Sequence, residues 1–296
     1  MFFESMENEE ALAARKFAAL RKKSHIPVQL VDLVEQVLAI QNKARGQAVV
    51  PGVVAGPGSG LASVDQVMQG APLLARDRFI YDAAQARELF RNLGDLLSGM
   101  GGPMAQAAGI VREEGETLMR DAFGAFISND SAVFVEFAKR TPQAPRTLSF
   151  LAQSSLTPSI MALAEAVSKT LPADRTWEQG TCPICGSLAF HSAFKGKEGV
   201  RHHSCSFCRA AYRTVRLQCP YCEEREAGKL PYFTADEEPG YRVDACMSCQ
   251  GYIKTTDFRD FDRASLPALD DLESMALDIL AVQRGFTRPT ASAWGF

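Results

Sequence analysis

Apolar residues recur at helical spacing through most of the first 172 residues. In the segment IPVQLVDLVEQVLAIQNKARG, residues 26–46, they fall on one side of a helix, with Pro27 suited to the first turn and Gly46 beyond the end. The segment YDAAQARELFRNLGDLLSGM, residues 81–100, repeats this pattern and has Asp82 in the position of an N-cap. The pattern therefore predicts a mostly α-helical N-terminal domain over residues 1–172.

Three further segments continue the helical pattern towards the end of that domain. The segments VREEGETLMRDAFGAFI and SAVFVEFAKR are predicted to form a pair of helices. In TPSIMALAEAVSKTL, residues 157–171, Thr157 and Pro158 fit a cap and a first turn, so a helix is predicted to begin there. The Leu and Phe stripes of these helices are predicted to form a hydrophobic core.

The pattern changes after residue 172. Residues 173–180 are polar and follow a proline, which predicts a linker. A helical period returns in SLPALDDLESMALDILAVQRGF and predicts a C-terminal helix over residues 264–285 that packs on the rest. The intervening sequence is typical of short hairpins. We therefore predict the α+β class: a mostly α-helical N-terminal domain, two tandem rubredoxin-like or zinc-ribbon modules, and a C-terminal helix.

Composition allows a sizeable core and gives no sign of a membrane protein. The chain has 296 residues, of which 46% are hydrophobic and 23% charged, and its net charge of −3 provides no general affinity for polyanions. Glycine and proline interrupt the longest apolar stretch, AVVPGVVAGPGSGLASV, which predicts a flexible connection and no membrane insertion. The opening MFFESMENEE lacks a basic region of the secretory type, so we expect a cytoplasmic protein with reduced thiols.

All eight cysteines lie in one 68-residue window and form four C-x-x-C pairs. Eight thiols at this spacing are enough for two tetrahedral four-sulfur metal sites. Four pairs in hairpin-like sequence argue against a thioredoxin-like dithiol, and reduced thiols argue against a disulfide framework. The predicted ligands are Cys182, Cys185, Cys205, Cys208, Cys219, Cys222, Cys246 and Cys249.

The cysteine window contains the same unit twice. The first copy, residues 181–216, opens with CPIC and returns with RHHSCSFCRAAYR; the second, residues 217–258, opens with CPYC and returns with YRVDACMSCQGYIK. The repeat assigns the first four cysteines to one metal and the last four to another, although an interleaved pairing stays open. His202 and His203 precede Cys205 and are expected to be flanking strand residues.

Basic residues of the first copy are expected to offset the charge of −2 on a site with four thiolates. The same residues leave open a zinc ribbon that binds nucleic acid, although the acidic residues within 223–244 would repel a phosphate backbone. Gly186 follows a cysteine pair and suits the positive φ of a metal-binding turn, whereas the other three turns lack glycine at that place. The basic residues are Lys195, Lys197, Arg201, Arg209, Arg213 and Arg216.

The motifs CPICGS, SCSFCRAAYR, CPYCE and DACMSCQGYIK, in this order, resemble the formate dehydrogenase accessory protein family, FdhE, most closely over residues 182–254. The resemblance implies a cytoplasmic, non-catalytic maturation factor that binds the catalytic subunit of respiratory formate dehydrogenase as a chaperone and is needed for its activity. It also implies two rubredoxin-like iron sites at the eight cysteines. Tetrathiolate sites accept zinc as well, so zinc stays open.

Two further classes of protein remain possible from the residues alone. Iron in such a site would suit a rubredoxin-like electron-transfer protein, and zinc would suit a ribbon that binds nucleic acid. Four sulfur ligands leave no open position for a substrate, and no grouping of Ser, His and acid indicates catalysis. We therefore expect a binding protein and not an enzyme.

Overall fold

Helices form the first half of the chain in the computed structural model, which describes residues 2–3, 6–49, 60–172 and 175–295. Residues 50–59 of the predicted flexible connection and residues 173–174 of the predicted linker lie outside the described part. The helices of this half are α1 (Met6–Leu20), α2 (Val28–Gln47), α3 (Val64–Met68), α4 (Ala83–Gly99), α5 (Gly102–Ser128), α6 (Ala132–Arg140) and α7 (Thr147–Ser168).

Local sequence signals account for the start of α4 and for a break inside α5. The Asp82 carboxylate accepts hydrogen bonds from the backbone N–H groups of Ala84 and Gln85, which confirms the predicted cap of α4. Helix α5 is longer than predicted, and Gly115 interrupts it with a φ of 64° and a ψ of −140°. Such a conformation is open mainly to glycine, so the residue type explains why the break is tolerated.

The prediction that a helix begins at Thr157 and Pro158 is wrong. Helix α7 begins at Thr147 and has Pro158 inside it. Proline has no N–H to donate to the carbonyl four residues earlier, here that of Ser154. The side chain of Gln41 in α2 donates to that carbonyl oxygen at 2.9 Å. A residue 113 positions away in the sequence therefore satisfies the group that Pro158 leaves unpaired.

Both cysteine-rich copies contribute to one six-stranded sheet, with the strand order β3-β2-β1-β6-β5-β4. Each copy contains antiparallel pairs, and parallel pairing of β1 with β6 joins the copies, with His191 opposite Lys254. The division into separate ribbons at residue 216 stays a prediction. The strands are β1 (Ala189–Lys195), β2 (Val200–Cys205), β3 (Ala211–Arg213), β4 (Tyr232–Phe233), β5 (Tyr241–Ala245) and β6 (Tyr252–Asp257).

The C-terminal segment packs on both halves. The helix expected over residues 264–285 is instead two helices, α8 (Pro267–Glu273) and α9 (Met275–Gln283), which meet at Ser274. The Ser274 hydroxyl donates to the carbonyl of Asp270 at 2.7 Å. Helix α8 contacts α1 and β1, while α9 contacts β5 and β6. The predicted α+β class, with a mostly helical N-terminal region followed by Cys-rich β-structure and a helical C-terminal segment, is confirmed.

Buried ionic groups connect α8 to its surroundings. Lys16 of α1 pairs with the fully buried carboxylate of Asp270. Asp271 lies 2.9 Å from Lys254 of β6 and 2.7 Å from Arg288, measured between the charged atoms. A helical pattern in the sequence assigns such acids to the solvent side, so their burial was not predicted. Among the described helices, none is long and apolar enough to cross a bilayer.

Candidate metal centres

The eight cysteine side chains gather in two groups of four. Within each group the sulfur atoms all lie within 4.8 Å of one another. The first group is Cys182, Cys185, Cys205 and Cys208, and the second is Cys219, Cys222, Cys246 and Cys249. The repeat in the sequence predicted this grouping. The interleaved pairing is not observed, because each group contains cysteines of one copy only. All eight are free cysteines in the structure.

The distances between the sulfurs suit an ion with tetrahedral coordination. Paired sulfurs in the first group are 3.3 and 3.7 Å apart, and those in the second are 3.6 and 3.7 Å apart. An ion about 2.3 Å from each of four tetrahedral sulfurs would separate them by about 3.8 Å. Zinc and iron both accept four thiolates, so the donor set fits either metal.

All four C-x-x-C turns share one backbone geometry. The residue after each second cysteine has a positive φ: 76° at Gly186, 64° at Arg209, 63° at Glu223 and 57° at Gln250. The sequence indicated this conformation only for Gly186. The common turn aims backbone N–H groups at sulfur, as shown by 3.4 Å contacts from Ile184 to Cys182 and from Tyr221 to Cys219. These donors stabilise thiolates.

Replacing Gln250 by glycine is expected to stabilise the second group of cysteines. The left-handed conformation costs a non-glycine residue roughly 1 kcal/mol, which glycine avoids. Loss of the bond from the Gln250 amide to the Met247 carbonyl, 2.7 Å long and exposed, offsets part of the gain. We expect the free energy of unfolding of metal-saturated protein to rise by up to about 1 kcal/mol in urea titrations.

The matched change is Gly186→Ala, which forces a side chain into the same conformation. Its Cβ would lie 3.3 Å from the Pro72 ring, and we expect destabilisation. A less stable Gln250→Gly protein, at unchanged metal content, would contradict the strain argument.

Two arginines lie close to the first group of sulfurs. Burial raises the pKa of the Cys182 and Cys208 thiols, so positive charge is needed to favour thiolates. Arg209 is adjacent in sequence, and burial lowers its pKa to about 10 against the opposing effect of Cys205 and Cys208. Arg76 comes from the helical half and stacks 4.4 Å from the centroid of the Phe207 ring. No sequence signal connects Arg76 with cysteines more than a hundred positions away.

Arg201 belongs to the first copy but lies near the second group of sulfurs. Its guanidinium is 5% exposed and pairs with Asp244 of β5 at 2.9 Å. Burial lowers the pKa of Arg201, whereas Asp244 and Cys219 raise it. The side chains of Arg201 and Arg209 therefore interact with other groups of the protein, while those of Lys197 and Arg213 are exposed to solvent. The basic residues of the first copy thus divide between the two groups and the surface.

The two histidines beside Cys205 stand outside both sulfur groups. His203 is buried and its ring lies 5.9 Å from that of Tyr212, edge to face. Burial holds the pKa of His203 well below its ordinary value, which keeps the ring neutral. His202 is partly exposed and contacts the Val200 carbonyl. These positions agree with flanking strand residues.

The chain resembles known proteins in the sequence of its cysteine-rich part and in its fold. The model of the FdhE central domain matches residues 181–216, and the model of the FdhE C-terminal domain matches residues 217–293. A "Protein FdhE homolog" from Aquifex aeolicus is 31% identical over 152 residues, which are 50% of this chain and 52% of that protein. One from Pseudomonas aeruginosa is 35% identical over 136 residues, covering 43% and 40%. The matches thus span about half or less of these curated relatives.

A solved structure extends the likeness to the helical half. The crystal structure of the FdhE protein from Pseudomonas aeruginosa aligns with a TM-score of 0.66 over 98% of this chain and 96% of that chain. At 22% identity this shows a shared fold. Residues 181–293, which contain both sulfur groups, therefore match the two consecutive domains of the FdhE family, and the curated FdhE homologues support this match.

Proposed function

We propose that this chain is a non-catalytic accessory factor of formate dehydrogenase. It binds the catalytic subunit of the respiratory enzyme in the cytoplasm and is needed for that subunit to become active. The observation that carries the proposal is the pair of adjacent FdhE domain matches, with one sulfur group in each. The fold shared with an FdhE protein over nearly the whole chain supports it.

We further propose that the eight cysteines hold two metal ions, iron as the family resemblance implies or zinc as the alternative. A bound ion would crosslink two turns of each copy, and iron could also carry one electron. The chain supplies four thiolates to each ion, with backbone N–H donors and the guanidiniums of Arg76, Arg201 and Arg209 to balance charge. Such closed coordination leaves no position for a substrate, which supports a binding role.

A groove between helices α5 and α6 and the first sulfur group supports the binding role. It has a volume of about 840 Å³ and includes Cys185, Phe134 and Val135 along its walls. Val135 is 52% exposed, and Arg146 and Lys139 add positive charge. The groove is large enough to hold a segment of another chain, and its mixed apolar and cationic lining suits a partly folded protein.

Affinity capture with tagged full-length protein tests this proposal. From host cells grown on nitrate without oxygen, we expect the formate dehydrogenase catalytic subunit to be recovered. Val135→Glu, which adds negative charge to the groove, is expected to reduce recovery severalfold. The control Ile279→Glu changes a residue of α9 that is 64% exposed and lies outside the groove, and should leave recovery unchanged. Repeated failure to recover the subunit with unaltered protein would contradict the proposal.

Rubredoxin-like electron transfer is a second candidate, favoured by the exposure of Cys222 and Cys249. An iron site near the surface can exchange electrons with a partner. Protein from its own host should then absorb visible light and lose the colour with dithionite. A colourless protein that contains only zinc would remove this candidate.

A further inference from the structure

The two sulfur groups differ sharply in exposure although their ligands are the same. In the first group all four cysteines are buried, with exposures of 0 to 2%. In the second, Cys219 and Cys246 are buried but Cys222 and Cys249 are exposed. Equal chemistry with unequal access predicts that external ligands will reach the two ions at different rates.

The surroundings of the first group block approach to its ion. Its cysteines belong to the main hydrophobic core together with Ile184 and Phe207. Phe79 packs edge to face on Phe207 at 5.1 Å, and the Arg76 guanidinium covers the same ring. Backbone bonds from Leu73 and Leu74 to Pro183 and Ile184, both 2.9 Å, hold a segment of the helical half against the cysteine turn. Cys185 borders the groove between α5 and α6 but is only 2% exposed, so access to the ion would still require this packing to open.

The second group lies at the surface and beside a small cationic pocket. Neighbouring Leu217 and Met247 are 55% and 51% exposed. The lining of a pocket of about 200 Å³ includes Cys219 and Cys246 together with Arg216 and Arg242. Part of the Arg242 charge is balanced by Asp244 at 2.9 Å, while Arg216 is exposed and donates to the backbone carbonyl of Glu198. An anion is therefore attracted to a position next to the ion.

Within the second group burial distinguishes the cysteines that are displaced last from those that can be displaced first. The Tyr221 N–H donates to the Cys219 sulfur at 3.4 Å, and Cys219 and Cys246 are only 3% and 1% exposed. Their burial holds Cys219 and Cys246 in place. The exposed Cys222 and Cys249 can be replaced one at a time while two ligands keep the ion.

We propose that the second sulfur group can transfer its metal ion to anionic thiolate ligands from outside the chain. The first sulfur group, in contrast, keeps its ion as long as the chain is folded. In the first two steps a bond from the metal to an incoming sulfur would form as the bond to Cys222 or Cys249 breaks, and two later steps of the same kind at Cys219 and Cys246 would free the ion. The released cysteine takes a proton from water, and the oxidation state of the metal does not change. This inference rests on the proposed occupancy of both groups.

Zinc release from full-length protein tests the inference. Protein filled with two zinc equivalents is mixed with excess 2,3-dimercaptopropanesulfonate, an anionic dithiol, and the zinc left on the chain is measured over time. We expect one equivalent to leave at least about tenfold faster than the other. Alkylation followed by peptide mass mapping should label Cys222 and Cys249 in the fast phase. Loss of both equivalents at one rate, or early labelling of Cys182 or Cys205, would overturn the inference.

A pair of charge variants tests the approach of the anion. Arg216→Gln should slow the fast phase by about threefold at low salt, because it removes positive charge from the pocket. Arg112→Gln removes an exposed arginine of α5 outside this pocket and should leave the rate unchanged. Equal rates for the two variants would overturn the proposed attraction of anionic ligands. A chain that takes up fewer than two equivalents would instead contradict the proposed metal sites.

Discussion

Replacing Cys185 by serine is expected to remove one metal equivalent and to unfold much of the chain. The Cys185 sulfur lies in the main core, 2% exposed, and 3.3 Å from the sulfur of Cys205. Serine is a poor ligand for a soft metal site and would leave three buried thiols without an ion. A structural zinc contributes about 10 to 16 kcal/mol to small domains, as much as the whole stability of a typical protein.

The matched variant is Cys222→Ser, which removes an exposed ligand from the second group. It should also lose about one metal equivalent, but the helical half should keep its near-ultraviolet circular dichroism and a cooperative thermal transition. Elemental analysis and thermal unfolding of both variants measure the difference. A folded Cys185→Ser protein with two equivalents would contradict the proposed first site. Equal destabilisation by both substitutions would show that burial of the first group adds nothing.

Replacing Lys254 by methionine is expected to lower the free energy of unfolding by about 3 to 5 kcal/mol, as breaking a buried ion pair generally does. The Lys254 ammonium is 1% exposed and lies 2.9 Å from the Asp271 carboxylate and 2.6 Å from that of Asp278. It also donates to the backbone carbonyl of Asp271 at 2.6 Å. Methionine preserves the length of the side chain, so the loss reports mainly on the missing ammonium group, which leaves Arg288 as the remaining cation beside both carboxylates.

The pH dependence of this effect follows from Asp271. Burial alone would raise the pKa of Asp271, but the charges of Lys254 and Arg288 outweigh it and hold that pKa below its ordinary value. A carboxylate with a lowered folded pKa contributes stability that is fully present above the unfolded value of about 4 and is lost as the pH falls through the folded value. The effect of Lys254→Met should therefore stay constant between about pH 5 and about pH 8.

Urea unfolding of unaltered protein and of Lys254→Met across that pH range measures both points. Lys43→Met, at an exposed position of α2, is the control and should change the free energy of unfolding by less than about 0.5 kcal/mol. If Lys254→Met were no more destabilising than this control, the buried ionic cluster would not hold α8 to the sheet.

Features that depend on a few neighbouring residues could be predicted from the sequence. Two cysteines three positions apart can form one turn with local contacts alone, and the repeat of that turn predicted how the sulfurs group, although it left an interleaved pairing open. Asp82 caps α4 through N–H groups two and three positions away. The positive φ at Arg209, Glu223 and Gln250 was harder to predict from the sequence. The hydrogen bonds of each C-x-x-C turn impose this φ, although these residue types disfavour it.

Features that depend on distant partners could not be predicted. Pro158 looked like the start of a helix because its missing N–H suits a first turn, and only the packing of Gln41 against α7 allows it inside. The acids Asp270 and Asp271 looked like the polar side of a helix until lysines from α1 and β6 were placed beside them. Arg76 likewise approaches the first sulfur group from another part of the chain.

The sequence by itself determined that eight thiols form two sets of four and that helices precede them, because spacing and periodicity are local properties of a chain. Only the tertiary structure decided that one sheet joins the two copies and that the first set is enclosed while the second faces solvent. The reason is that the exposure of a sulfur atom depends on which remote segments pack over it. Two turns with the same cysteine spacing do not indicate which segments these are.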